Sequence, residues 1–328
     1  MGLKTGYLFN ESFLQHELEP WHPESPQRLV AIERQFAASA TPERFKRLEF
    51  SFDPQVHLPL IALVHTGEHI DAVRAIPTTG PAACDAIAAT VKAIDAVFTG
   101  QVANAFCAVR PPGHHAHDSA HHDGMNQGQG FCFFNNVAVA ARYAQQRYNI
   151  ENVLIVDWDF HHGNGTEEYF YADSSVFYFS THRFGNYPGT GSPLRTGSGS
   201  GEGYTFNYPM PRPDNPYGTV EDGHLLVALD TLSQRLESLG FIPELILISA
   251  GFDGLASDPL GNFSLNEEVF HTATIRVMEI ARRHCNGRIV SVLEGGYNPE
   301  SLAAAVGLHL QALAGVTLQH DTKDHRDT

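Results

Sequence analysis

Four short runs of this chain are apolar from end to end: AFCAV (105–109), NVLIVDW (152–158), ELILISAG (244–251) and RIVSVLEGG (288–296). A strand with one wet face alternates apolar and polar residues. An unbroken run of this length reads as a strand covered on both faces, which is the habit of parallel sheets. SVFYFSTH (175–182) is a fifth candidate. Between the runs lie helical patterns at 83–100, 135–148, 222–240 and 266–285, several of them stopped by glycine. Strand alternating with helix predicts an α/β fold, with a central, mostly parallel sheet and helices on both faces. With 328 residues, 42% of them hydrophobic, the chain can bury one large core. It shows no internal repeat and no dividing linker. One domain is therefore expected over 1–318, with a Gly/Ser surface loop at 189–203 and a polar tail at 319–328.

Ligands of open parallel sheets bind beyond the carboxyl ends of the strands. The residues just past each run here are rich in chemistry. RPPGHHAH (110–117) succeeds the first run. Asp157, Asp159, His161 and His162 end the second, Asp253 the third, and Glu294 and Tyr297 the fourth. Asp159 and His161 stand two apart, so they point the same way on extended chain. With Asp253 from another strand they make a three-ligand set that leaves a position open for water or substrate, the pattern of a catalytic metal. Oxygen-rich ligation also admits Fe(II), Mn or Co. The adjacent His114 and His115, placed by a stiff Pro-Pro-Gly turn, suit paired acid–base work.

Acidic residues outnumber basic ones, 37 to 21, for a net charge of −16. Such a surface repels nucleic acid and attracts cations. Cysteines stand at 84, 107, 132 and 285 without CxxC spacing, as expected in a reducing compartment, and none reads as a nucleophile. No signal-like N-terminus or membrane-length run is found, so a cytoplasmic, soluble protein without nucleic-acid or membrane partners is expected. Self-association is left open.

Six motifs occur in order: HPESPQRL (22–29), VRPPGHHA (109–116), GFCFFNNVAVAA (130–141), IVDWDFHHGNGT (155–166), SAGFDG with DPLG (249–261) and LEGGYN (293–298). Together they resemble the histone deacetylase superfamily, which includes acetylpolyamine amidohydrolases, and most closely its class II members and their bacterial relatives. The resemblance implies an arginase-like α/β fold and zinc-dependent hydrolysis of acyl-lysine, mainly acetyl-lysine, in a protein, peptide or acetylated small amine. It implies zinc on Asp159, His161 and Asp253, and Tyr297 bonded to the substrate carbonyl. Asp157 is expected to back His114, and Asn164 to back His115, where class I members carry Asp. His114 is then expected to be the general base and His115 to protonate the leaving amine. Structural potassium is implied near Asp157, Asp159, His161 and Ser180. The acyl-lysine channel falls to Gly130, Phe131, Tyr187 and Leu260, with Tyr187 where relatives usually carry Phe. Polyamine-specialised relatives carry Glu at the position of Leu260.

The alternatives are an acetylpolyamine amidohydrolase on the same chemistry, or an inactive acyl-lysine-binding scaffold. An arginase-like ureohydrolase needs two bridged metals, and the GHHA and GGYN motifs speak against it. The chain departs from the class II pattern in a longer stretch, HDSAHHDGMNQGQ (117–129), with His117, His121 and His122. A solvated rim loop is the simplest expectation for it. Contact with substrate, a second metal or a neighbouring subunit is the alternative.

Overall fold

The structure, a computed structural model, describes residues 3–118, 129–211, 218–261 and 263–318. Among them, eight strands form one sheet: β1 (Thr5–Leu8), β2 (Phe45–Arg47), β3 (Asn104–Cys107), β4 (Val153–Asp157), β5 (Val176–Arg183), β6 (Thr205–Met210), β7 (Leu245–Ala250) and β8 (Ile289–Leu293). Their order is β2-β1-β3-β8-β7-β4-β5-β6, and every pair is parallel. The five expected strands are present as β3, β4, β5, β7 and β8. The residues of β3, β4, β7 and β8 are all buried, as their unbroken apolarity predicts.

The helices are α1 (Gln27–Ala37), α2 (Pro54–Ile61), α3 (Gly67–Arg74), α4 (Thr79–Phe98), α5 (Asn136–Tyr148), α6 (Asn164–Phe170), α7 (Asp222–Leu239), α8 (Glu267–His284) and α9 (Pro299–Leu313). One layer packs in the sequence α1, α9, α8, α7; the other is built on α4 with α3 and α5. Helix α4 is apolar nearly all round and buries almost its whole length, so it is a core element rather than a surface one. Helix starts are fixed by side chains: Asn135 accepts from the Ala138 amide at α5, and Asn298 accepts from the Glu300 amide at α9, whose first residue is Pro299.

Strands β1, β2 and β6 lie outside the sequence expectation, as do α1, α2, α3, α6 and α9. The stretch 189–203 is only partly a surface loop. Gly191 and Gly201 are buried, and the Gly191 carbonyl lies 2.9 Å from His182 Nε2. The tail 319–328 lies outside the described residues, as do His121 and His122. No described helix is long and apolar enough to cross a membrane. All four cysteines are free and buried, and burial pushes the Cys84 and Cys285 thiols up to about 11. Burial raises all four, which keeps them thiols rather than thiolates at neutral pH.

Candidate active site

The four strands that carry the motifs are neighbours, β3-β8-β7-β4, at the middle of the sheet. Their register aligns Cys107 with Val292, Leu293 with Ala250, and Ser249 with Asp157. The loops that leave them therefore start at one level and converge. This is why residues almost 200 positions apart in the chain meet.

Asp159, His161 and Asp253 come together, with ligand atoms all within 4.8 Å of one another. His161 Nδ1 lies 2.9 Å from Asp253 Oδ2 and 3.3 Å from Asp159 Oδ1. Both carboxylates are buried. Burial and the charge of Asp159 push Asp253 up to about 7, while Asp159 is held low, its own burial outweighed by His114 and His161. Two buried carboxylates crowded in this way call for a cation. The backbone is shaped to leave room for one: a Cβ on Gly295 would lie 2.6 Å from both Asp159 Oδ2 and Asp253 Oδ2. The donor set, one imidazole and two carboxylates with no thiolate, fits a catalytic divalent ion such as zinc.

His114 and His115 lie side by side, ring centroids 4.1 Å apart. His114 Nδ1 faces Asp157 Oδ2 at 3.0 Å, and the same oxygen accepts from the Tyr178 hydroxyl at 3.0 Å. Burial lowers the His114 pKa, but the charges of Asp157 and Asp159 overcome it and carry it up to about 10. His115 Nδ1 faces the neutral Asn164 Oδ1 at 2.7 Å. Burial, His114 and His161 all drive its pKa well down. The two histidines thus differ in basicity, as the Asp/Asn contrast predicts. His114 is the more basic of the pair and His115 the less.

Tyr297, 8% exposed, stands beneath the Arg28 guanidinium, 5.1 Å from its ring centre, and edge-on to Phe131 at 5.9 Å. Burial and the nearby Asp253 push its phenol well up, so it remains a donor. Glu294, singled out in the sequence, and several residues that were not, hold this frame. Asp258 accepts from the amides of Tyr297, Leu260 and Gly261. Glu294 accepts from the amides of Gly113 and His114. Glu24 gathers Arg28 and Arg110, and Arg28 donates to the Gly296 and Glu294 carbonyls. Asp258 had a readable signal, an Asp two and three residues before the amides it binds. Glu24 and Arg110 had none, being 86 residues apart.

Phe131, Tyr187, Gly130 and Leu260, the residues expected to line a channel, are placed as follows. Phe131 packs on His22 at 4.4 Å, on the Tyr297 side. Tyr187, 44% exposed, lies 5.2 Å from His115 and 6.2 Å from His161. Gly130 has φ +52, and a Cβ there would lie 2.3 Å from the His115 ring, so only glycine lets the wall approach. Leu260 is 38% exposed in the loop pinned by Asp258. Ser180 is the register partner of Asp157, and its hydroxyl bonds His182.

An all-parallel sheet whose carboxyl edge joins a cation-ready carboxylate–imidazole cluster to a histidine pair is the arrangement of a hydrolase. The chain belongs to the histone deacetylase family: residues 22–313 match the Histone deacetylase domain. It is 34% identical to a "Probable deacetylase" of Archaeoglobus fulgidus, over 96% of this chain and 87% of that one. It is 36% identical to "Histone deacetylase 15" of Arabidopsis thaliana over 95% of this chain, but spans only 57% of that protein's length. The crystal structure of an HDA15 HD domain superposes with a TM-score of 0.82 at 35% identity, covering 95% of this chain and 91% of that one.

Proposed function

We infer that this protein is a zinc-dependent deacylase that hydrolyses N-acyl-lysine, acetyl-lysine above all, to a carboxylate and a free amine. The observation that carries the reading is the meeting of Asp159, His161 and Asp253 beside His114, His115 and Tyr297 on four adjacent strands. A divalent ion on the first three supplies Lewis acidity to a water and to the acyl carbonyl, and can bring the water's pKa to about 7. His115, neutral and backed by a neutral amide, takes the proton from the attacking water at Nε2. The Tyr297 hydroxyl donates to the carbonyl oxygen as it becomes an oxyanion. His114, held protonated by Asp157, adds positive charge beside that oxygen. The C–N bond breaks as His115 passes its proton to the departing amine. Phe131 and Tyr187 wall the neutral lysine stem, and Leu260 gives the rim no anionic partner for a polyamine. Potassium bound near Asp157, Asp159, His161 and Ser180 belongs to the same proposal, supported by the pairing of β4 with β5 at Asp157 and Ser180.

The test is metal analysis and turnover of an acetyl-lysine peptide by wild type, Asp159→Ala and His161→Ala. Zinc and activity are expected to disappear together in both variants. Full zinc content in either one removes the assignment.

A further inference from the structure

The amide behind His115 is not the end of its support. Asn164 Nδ2 lies 2.8 Å from His117 Nε2, and His117 Nδ1 lies 2.8 Å from Glu168 Oε2. Four side chains therefore form one hydrogen-bonded line, His115–Asn164–His117–Glu168, running from the buried site to the surface. The His117 side chain is 20% exposed and that of Glu168 is 67% exposed. Asn164 and Glu168 are one turn apart on α6, so they face the same way. The backbone around His117 is fastened independently of its ring. Its amide donates to Gln129 Oε1 at 3.0 Å, its carbonyl accepts from His65 Nδ1 at 2.8 Å, and Asn135 Nδ2 holds the preceding Ala116 carbonyl.

The protons along this line are set by what each atom can do. An ionised Glu168 only accepts, so His117 carries its proton on Nδ1 and has a lone pair on Nε2. That lone pair takes an N–H from Asn164. The Asn164 oxygen is thereby turned to His115 and accepts from Nδ1–H, which leaves His115 Nε2 bare. An asparagine amide has nearly the same shape either way round. Flipped, it would offer N–H to His115 Nδ1 and force the His115 proton onto Nε2, the wrong tautomer for a base. A carboxylate at position 164 would present an oxygen in either orientation, whereas an amide needs a third residue to orient it.

We propose that His117 is a positioning residue that fixes the orientation of the Asn164 amide and, through it, the tautomer in which His115 enters the reaction, with Glu168 fixing His117 in turn. This rests on the reading of His115 as the proton-transferring group. It separates His117 from the rest of the 117–129 stretch. Among the described residues, its chain neighbour Asp118 and His65, which bonds its carbonyl, are further titratable groups about it.

Three variants of the zinc-loaded protein test the proposal. His117→Gln keeps an acceptor near the position of Nε2, His117→Leu has none, and His117→Lys offers only donors. Expected kcat is within about threefold of wild type for Gln, roughly tenfold down for Leu, and lower still for Lys, with KM and zinc content unchanged, since about one hydrogen bond's net worth is at stake. In an Asn164→Asp background, His117→Leu should cost less than about twofold. The independent readout is the imidazole 15N spectrum, with the His115 signals assigned by their loss in His115→Ala. Wild type and Gln should show the Nδ1–H tautomer of His115, and Lys the Nε2–H form. If Leu and Lys leave both kcat and the His115 spectrum as in wild type, or if Gln loses as much as Leu, the proposal is overturned. If wild type turns over no acyl-lysine substrate, the functional reading fails, while the spectra still decide whether His117 sets the tautomer.

Discussion

His114 and His115 are adjacent in sequence and their rings nearly touch, yet they are supported from opposite directions. Behind His114 stands Asp157, at the buried end of β4, itself tied to the Tyr178 hydroxyl. Behind His115 stands Asn164, the first residue of α6, whose outer neighbours lead to solvent. One histidine is backed by a charge in the core, which raises its pKa. The other is backed by a neutral amide, and burial together with His114 and His161 lowers it. The atom facing Nδ1, a carboxylate oxygen in one and an amide oxygen in the other, is one difference between the two.

Replacing that atom is the strongest way to break the comparison. Asp157→Asn should lower kcat by roughly 10³, because His114 loses the charge that keeps it cationic. Asn164→Ala should cost roughly tenfold, the scale of one orienting hydrogen bond. Single-turnover rates at saturating acetyl-lysine peptide measure both, and equal losses would erase the asymmetry. Tyr297→Phe isolates the oxyanion donor from both histidines: zinc and fold are retained and kcat falls roughly 10²–10³. Unchanged turnover would mean the phenol does not touch the transition state. A smaller effect is expected at the rim. Leu260→Glu should shift the kcat/KM ratio from acetyl-lysine peptide towards acetylspermidine by roughly tenfold, since a carboxylate there pairs with the second amine. A wild type that prefers acetylspermidine would reverse the substrate assignment and leave the chemistry intact.

The smallest effect sharpens the contrast with buried histidines outside the paired site. His65, His182 and His309 are buried, and burial lowers each to about 3. In the unfolded chain they titrate near 6.5. As pH falls from about 6.5 to about 3, the unfolded state takes up protons that the folded state refuses, so stability declines across that window. His309 bridges the Thr274 and Ser291 hydroxyls. His309→Gln should lower Tm by a few degrees at pH 7.5 and flatten its fall towards pH 4, as followed by thermal melts. An unchanged slope would show that His309 takes no part in the acid response.

The middle of the fold was legible because β3, β4, β7 and β8 have no wet face to interrupt their apolarity. The edges were not. Strand β2 is three residues, Phe-Lys-Arg, and β6 alternates burial and contains Pro209, which the pattern of a covered strand does not predict. The site was legible wherever a residue lies within a few positions of a strand end. Asp159, His161, Asp253 and Tyr297 all do. What the sequence could not convey were contacts made only by the tertiary fold, such as Glu24 with Arg110, or His117 reaching Asn164 across the loop. The direction of the two histidine pKa shifts also needed the structure, because it turns on which charges stand behind each ring.

The strand order has a consequence for how the chain acquires its fold. Strand β8, the last in sequence, lies between β3 and β7. Before it docks, the sheet consists of two pieces, β2-β1-β3 and β7-β4-β5-β6, each with a bare apolar edge. Histidines 114 and 115 ride on one piece, and the carboxylates that bind a cation on the other. The sheet is therefore continuous only once the residues up to Leu293 are present, because the strand that joins its two halves is the last of the described strands in sequence. A nascent or truncated chain that ends before Ile289 carries two sticky edges and no catalytic centre, and its hazard is aggregation rather than partial activity.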